Sequence, residues 1–579
     1  MATAKKDFVS NLPKIYSMYT GGFIAFVILL AIAEQMGMPN KIIGYIFMAA
    51  TIGLYAMIGI MSRTAQVDEY YVAGRKVPAV FNGMAVGADW MSAASFIGMA
   101  GTLYVQGYDG LAYVMGWTGG YVLVALFLAP FLRKFGQYTI PDFLGARYGG
   151  NIARTVGIIA AITASFVYVV AQITGAGIIV SRFLEVPFFF GVFFGLGGIL
   201  VCSMLGGMRA VTWTQVAQYI ILIIAYLVPI VWLSLKVTGN PIPQIAYGEV
   251  LQNIAVLEQQ LGVEAPHSTP FNITDRTNFL ALTFCLMVGT AALPHILMRF
   301  FTTPSVKEAR ASVGWSLFFI FLLYFSAPAY AAFAKYEVYS NVVGQAIADL
   351  PAWVASWTQV GLVAVNDANG DGILQLAELT LQADAIVLAT PEIAGLPYVI
   401  AGLVAAGGLA AALSTADGLL LTISNALSHD VYYKMVNPQA STTKRLTIAR
   451  ILLVMVAICA AAVAAQRPAG ILALVAWAFS IAGAAFFPAL VLGIFWKRAN
   501  KTGAVAGMIV GFALTLFYLV GVQFMGMEKW FNINTVSAGI FGIPAGFLVI
   551  WIVSLLTKAP AQDVQDMVED IRYPHIKQA

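Results

Sequence analysis

Charge is what this sequence has little of. Asp, Glu, Lys and Arg make up 10% of its 579 residues, and it has four histidines and three cysteines. So thin a polar surface excludes an ordinary soluble enzyme or binding module. Cys202, Cys285 and Cys459 all lie inside apolar runs. They have no metal-ligand spacing and no disulfide framework, so they read as small buried hydrophobes. The balance of +4 is too slight for a nucleic-acid partner. What is abundant is apolar surface: 60% hydrophobic residues, mean hydropathy +0.83, and 54 glycines. Such a chain has the lipid bilayer as its solvent, and its small residues allow helices to approach closely or to break.

A spanning helix needs about 20 mostly apolar residues. Runs of that kind predict fourteen crossings, near 17–36, 41–62, 80–107, 110–132, 152–181, 187–206, 211–236, 278–300, 311–334, 397–428, 446–466, 469–495, 502–525 and 533–557. With the N-terminus inside, 24 of the 31 basic residues fall on the inner side and 7 on the outer. That asymmetry places a multi-pass protein in a bacterial inner membrane with both termini cytoplasmic. Ala31-Ile32-Ala33 also resembles a signal-peptidase site, and cleavage there would leave thirteen crossings. Outer loops are expected at 237–277 and 335–396. No inner segment is long enough for a catalytic or nucleotide-binding domain, and the acidic tail after Pro560 reads as a solvated helix or a partner contact.

Polar groups in mid-span need an explanation, since an ionised one costs roughly 2.5–3.5 kcal/mol on insertion scales. In the third span Asp89, Ser92 and Ser95 recur at three-residue steps on one helix face, beside Trp90, among small residues. This reads either as a packing carboxylate or as part of a transport pathway. In the tenth span, Ser414, Thr415 and Asp417 sit in a Gly/Ala-rich stretch. Neighbouring hydroxyls with free carbonyls are the hard-oxygen ligands an alkali cation takes, although such hydroxyls often bond only their own i−4 carbonyl. The eighth span holds Gly289, Thr290 and Pro294, the marks of a discontinuous helix or a proline kink. His295 and Arg299 beyond it suit snorkelling or gating. Spans three to seven and eight to twelve enter the membrane from opposite sides, and the first of each set carries the apparent break. This all-α pattern is the 5+5 inverted repeat of LeuT-like transporters. It divides the chain into accessory helices (1–79), first repeat (80–236), outer loop (237–277), second repeat with its own outer loop (278–495), and two last helices with a tail (496–579).

Several ordered motifs resemble the sodium:solute symporter family: Asp68 through Arg75, Gly206 through Val211, and Ala411 through Asp417 followed by His429-Asp430. Pro294 through Phe300 is most similar to the acetate and monocarboxylate permease branch, in a subgroup of large subunits accompanied by a small two-helix membrane protein. The resemblance implies Na+ as coupling ion. It carries the family's cation site onto the carbonyls of Ala88, Met91 and Ala411 and the hydroxyls of Ser414 and Thr415. Where many members have an Asp for a second cation, this chain has Gln215, which points to one coupled cation.

Asp367 through Glu378 fits the twelve-residue EF-hand loop, with Asp367, Asn369 and Asp371 at positions 1, 3 and 5, Ile373 offering its carbonyl, and Glu378 at 12. A Ca2+ site in the outer loop is expected, flanked by a clear helix only on its C-terminal side. The plainer reading is an Asx turn. No organic cofactor is expected, nor paired catalytic side chains in the spans. A channel would need a charged ring or a carbonyl filter, and neither is written here. The expected function is therefore Na+-coupled import of a small monocarboxylate such as acetate. Lactate, pyruvate or an amino acid as substrate, proton coupling, and a transporter-like sensor are the alternatives.

Overall fold

The computed structural model describes residues 2–64 and 66–573, with their side chains except at 2–9 and 201–206, so the side chain of Cys202 lies outside the described residues. Among them, twelve helices are long and apolar enough to cross a membrane. Two expected crossings are absent from that number. The third is divided at Met91, and its second half meets the fourth at a turn at Gly107 (φ 57°, ψ −130°); the sixth is the apolar helix that begins at Phe188. That helix continues to Thr238 through a sharp turn at Gly207 (φ 55°, ψ −145°). A Cβ there would stand 2.6 Å from the Tyr70 ring and carbonyl, so only glycine lets the chain turn against the short Val67–Val72 helix.

Three helices enclose the centre. The first broken helix runs over Ala79–Trp90, passes a non-helical Met91 (φ −77°, ψ 66°), and resumes through a wide turn at Ala94–Gly98 into Met99–Gln106. The second runs over Arg276–Thr290 and resumes at Pro294–Met298. Proline at the restart supplies a fixed φ and needs no amide partner, so the expected break occurs where its chemistry permits. The third, Tyr398–Asn425, is buried along its whole length, packs on the 151–184 and 188–238 helices, and is called here the hydroxyl helix.

Helix ends inside such a bundle need partners for their free amides. Glu34, from the first span, accepts from the amides of Tyr398 (2.7 Å) and Val399 (2.8 Å) and so caps the hydroxyl helix. Glu308 accepts from Ala79 N at 2.9 Å and caps the first broken helix. In the 237–277 loop, Asp109 holds the amides of Phe271, Ile273 and Thr274 at 2.7–2.8 Å, and a helix, Pro243–Gln260, occupies much of the loop. The acidic tail is a helix, Gln562–Arg572, whose Val568 and Ile571 are buried against the bundle, so it is not merely solvated. Cys285 is buried as expected, whereas Cys459 is exposed on the outer face of its helix.

Candidate functional site

The break in the first helix frees carbonyls, and the hydroxyl helix brings oxygens to meet them. Ser414 Oγ lies 2.7 Å from the Ala88 carbonyl and 2.9 Å from that of Ala411. Thr415 Oγ1 lies 2.8 Å from the Asp89 carbonyl and 3.3 Å from that of Ala411. All these residues are buried. Of the five expected cation ligands, four converge as hydroxyls and carbonyls. Met91 stands at the break itself, and the Asp89 carbonyl occupies the place beside Thr415. The i−4 bond of a membrane hydroxyl is present, yet both hydroxyls also reach a second helix, which back-bonding alone does not require. Gln215 donates its amide to the Ser414 carbonyl at 2.7 Å, so it is built into this cluster.

Asp89 and Arg299 form a buried ion pair, Nε to Oδ2 at 2.9 Å, with neither side chain exposed to solvent. Arg299 Nη1 also lies 3.0 Å from Thr212 Oγ1. This corrects the snorkelling expectation for Arg299 and for His295, which is buried against Tyr168: both side chains turn into the bundle. Gly418, one residue after the fully buried Asp417, makes room for the pair, because a Cβ there would stand 2.4 Å from Asp89 Oδ1. An Asp and an Arg 210 positions apart carry no local signal of pairing, so sequence reasoning placed Asp89 without its partner.

On the other side of the break Trp90 packs edge-on against Tyr121 and Phe479, at ring distances of 5.8 and 6.0 Å. Trp117 meets Phe479 and Tyr324 at 5.9 Å each, and Tyr168 meets Phe479 at 5.7 Å. Ser95 shares a 2.9 Å hydrogen bond with Tyr324, and Ser92 Oγ accepts from the amide of Ala94, closing the break. Trp117 Nε1, Thr290 Oγ1 and His295 Nδ1 are buried here with no hydrogen-bond partner. Gly289 packs its backbone against the 471–495 helix, where a Cβ would stand 2.4 Å from the Phe479 carbonyl. It is a contact between helices rather than an open position. The sequence reading missed Trp117, Tyr168 and Phe479, because an aromatic in an apolar run gives no sign of which way it faces.

The outer-loop motif is tied together by its own backbone amides. Asp367 accepts from the amides of Gly370 and Gly372, and Asn369 and Asp371 accept from those of Asp371 and Ile373. Glu378 accepts from Ala368 N at 2.9 Å and Gln375 N at 3.0 Å, clasping both ends of the loop. The flanks are two short antiparallel strands, Val363–Val365 and Leu379–Leu381, and the expected helix begins only at Ala383. A hairpin replaces the helix because Leu379–Leu381 alternates and pairs locally.

A profile of the sodium:solute symporter family matches residues 70–511. An uncharacterised symporter of Cupriavidus necator is 47% identical over 99% of this chain and all of its own length. The chain belongs to the sodium:solute symporter family. The family is one of transporters, so this multi-pass membrane protein is a symporter and not an enzyme. A monocarboxylic acid transporter of Corynebacterium glutamicum is 29% identical, over 92% of this symporter and 94% of the relative. The solved structure of an Na+-coupled sialic acid symporter, in a substrate-bound outward-open state, aligns with a TM-score of 0.67 at 18% identity. It covers 90% of this chain and 99% of the neighbour, and the likeness carries the fold: a LeuT-like helical bundle.

Proposed function

We propose that this symporter couples Na+ to the import of a small monocarboxylate such as acetate by alternating access. The observation that carries the reading is Ser414, whose hydroxyl joins the broken first helix to the hydroxyl helix within 2.9 Å of two carbonyls. Hydroxyl and carbonyl oxygens in a dry site suit a weakly polarising alkali cation better than a proton. Na+ would be held by the Ala88, Met91 and Ala411 carbonyls and the Ser414 and Thr415 hydroxyls, with the Asp89 carbonyl adjacent. The aromatic cluster of Trp90, Trp117, Tyr168 and Phe479 would meet the methyl end of the substrate. The unpartnered donors Trp117 Nε1 and Thr290 Oγ1 would face its carboxylate, with Ser92, Ser95 and Asp417 shaping the path. The monocarboxylic acid transporter among the relatives supports the substrate class.

One cation moving with one carboxylate is electroneutral, whereas each net charge across 100 mV is worth about 2.3 kcal/mol. Labelled acetate uptake into liposomes should therefore follow the Na+ gradient and ignore an imposed potassium diffusion potential. Uptake indifferent to Na+ would end the proposal. The inner membrane, cytoplasmic termini and a small two-helix subunit beside the bundle belong to the same reading. We further propose Ca2+ for the outer loop, on Asp367, Asn369, Asp371, the Ile373 carbonyl and Glu378. The residue at position 12, Glu378, is already buried and turned back to the start of the loop. Calcium titration of the whole protein, with Glu378→Gln as the control, decides it.

A further inference from the structure

At the end of the bundle that gathers most of the basic residues, three metal-ligating side chains meet that the transport reading does not use. Asp142 lies on the Ile140–Tyr148 helix, while His429 and Asp430 lie on the extension of the hydroxyl helix, Ala426–Val436. One ligand atom from each of the three falls within 4.8 Å of the others, and all three side chains are at least 98% buried. Asp142 Oδ2, Asp430 Oδ1 and His429 Nε2 each have no hydrogen-bond partner.

Charge sharpens the point. Asp142 spends Oδ1 on Arg154 at 3.2 Å, and Asp430 spends Oδ2 on the Thr139 hydroxyl at 2.8 Å. The second oxygen of each carboxylate is thus buried without a hydrogen bond, Asp142 Oδ2 facing the His429 imidazole and Asp430 Oδ1 having no partner. Two buried carboxylates side by side, with one guanidinium on Asp142, leave room for a further cation between them. The imidazole at 3.6 Å from Asp142 Oδ2 supplies the nitrogen ligand that distinguishes a transition-metal site from an alkali or alkaline-earth one.

We propose that Asp142, His429 and Asp430 form a divalent transition-metal site, of the Zn2+ type, that ties the Ile140–Tyr148 helix to the end of the hydroxyl helix. Ligand–metal distances of about 2.0–2.2 Å hold ligand atoms no more than about 4.4 Å apart, so the three atoms, now within 4.8 Å of one another, draw together on binding. One adjustment accompanies binding. Arg445 Nη2 stands 3.2 Å from His429 Nδ1, and a guanidinium only donates, so Nε2 carries the proton in the metal-free molecule. A bound ion needs the other tautomer, with Arg445 turned from Nδ1 toward the Tyr433 ring, which its guanidinium already faces at 3.6 Å. Arg445 is therefore a competitor of the ion. The metal links the element after the fourth span to the helix bearing Ser414, so it would clamp one end of the two repeats together.

The test is Zn2+ binding to the full-length detergent-purified protein by equilibrium dialysis, with excess Ca2+ present and in a Glu378→Gln background to silence the outer loop. The expected result is one Zn2+ per chain. Asp430→Asn should weaken it at least tenfold, and Arg445→Met should strengthen it by a similar factor. No Zn2+ bound to the parent protein, or equal binding by Asp430→Asn, overturns the site, as does weaker binding by Arg445→Met. Should Asp430→Asn fail to fold, Co2+ substitution in the parent protein decides: a visible ligand-field band of a low-symmetry site is expected, and only the hydrated-ion spectrum refutes it.

Discussion

Breaking the Asp89–Arg299 pair is the perturbation whose size follows most directly from the structure. The two groups meet at 2.9 Å and neither is exposed. At an effective dielectric of about 20, opposite unit charges at this distance attract by roughly 6 kcal/mol, while desolvation of each ion costs several kcal/mol in return. The pair as a whole is therefore nearly neutral for stability. Removing one member is different, because the survivor stays buried and uncompensated, at a cost of about 3–5 kcal/mol. Asp89→Asn and Arg299→Met should each cause large losses of folded protein on heating, read by size-exclusion of detergent-solubilised material. The double variant should be distinctly less damaged than the sum of the two, with a coupling of about 1–3 kcal/mol. Arg299→Lys should not rescue, since a point ammonium cannot reach both Asp89 and Thr212 as the planar fork does. Additive losses in the double variant would refute the pairing argument.

Ser414→Ala combined with Thr415→Ala should raise the Na+ concentration for half-maximal uptake at least tenfold while leaving protein abundance within twofold; unchanged Na+ dependence counts against the cation site. Gly418→Ala should destabilise by about 1–3 kcal/mol through overpacking, and the penalty should shrink when Asp89 is also Ala, because the clash is with its carboxylate at 2.4 Å. In the outer loop, burial and then the charge of Lys335 push the His267 imidazole down to about 3. Its unfolded value is near 6.5, so the unfolded chain binds the extra proton between these limits. The contribution of His267 to stability is then full above pH 6.5 and is lost as pH falls toward 3. His267→Gln should flatten the acid side of the melting-temperature profile, and a profile unchanged by the substitution would contradict the burial argument.

The sequence by itself determined the solvent of this protein, the run of its helices and the two places where they break. Those follow from local chemistry. Apolar length sets a span, and a helix ends where Pro294 withholds an amide or where polar and small residues gather, as they do over 87–92. Ser414 and Thr415 stood out as a polar pair in an apolar helix, and the structure sets both hydroxyls against carbonyls of the first broken helix. Tertiary structure alone decided the partners. Arg299 for Asp89, Glu34 for the Tyr398 amide, and Asp142 for His429 are separated by 210, 364 and 287 positions, and no periodicity reaches so far. It also decided which aromatics gather beside the break, since every face of a buried helix is apolar and the direction of a ring is fixed only by its neighbours.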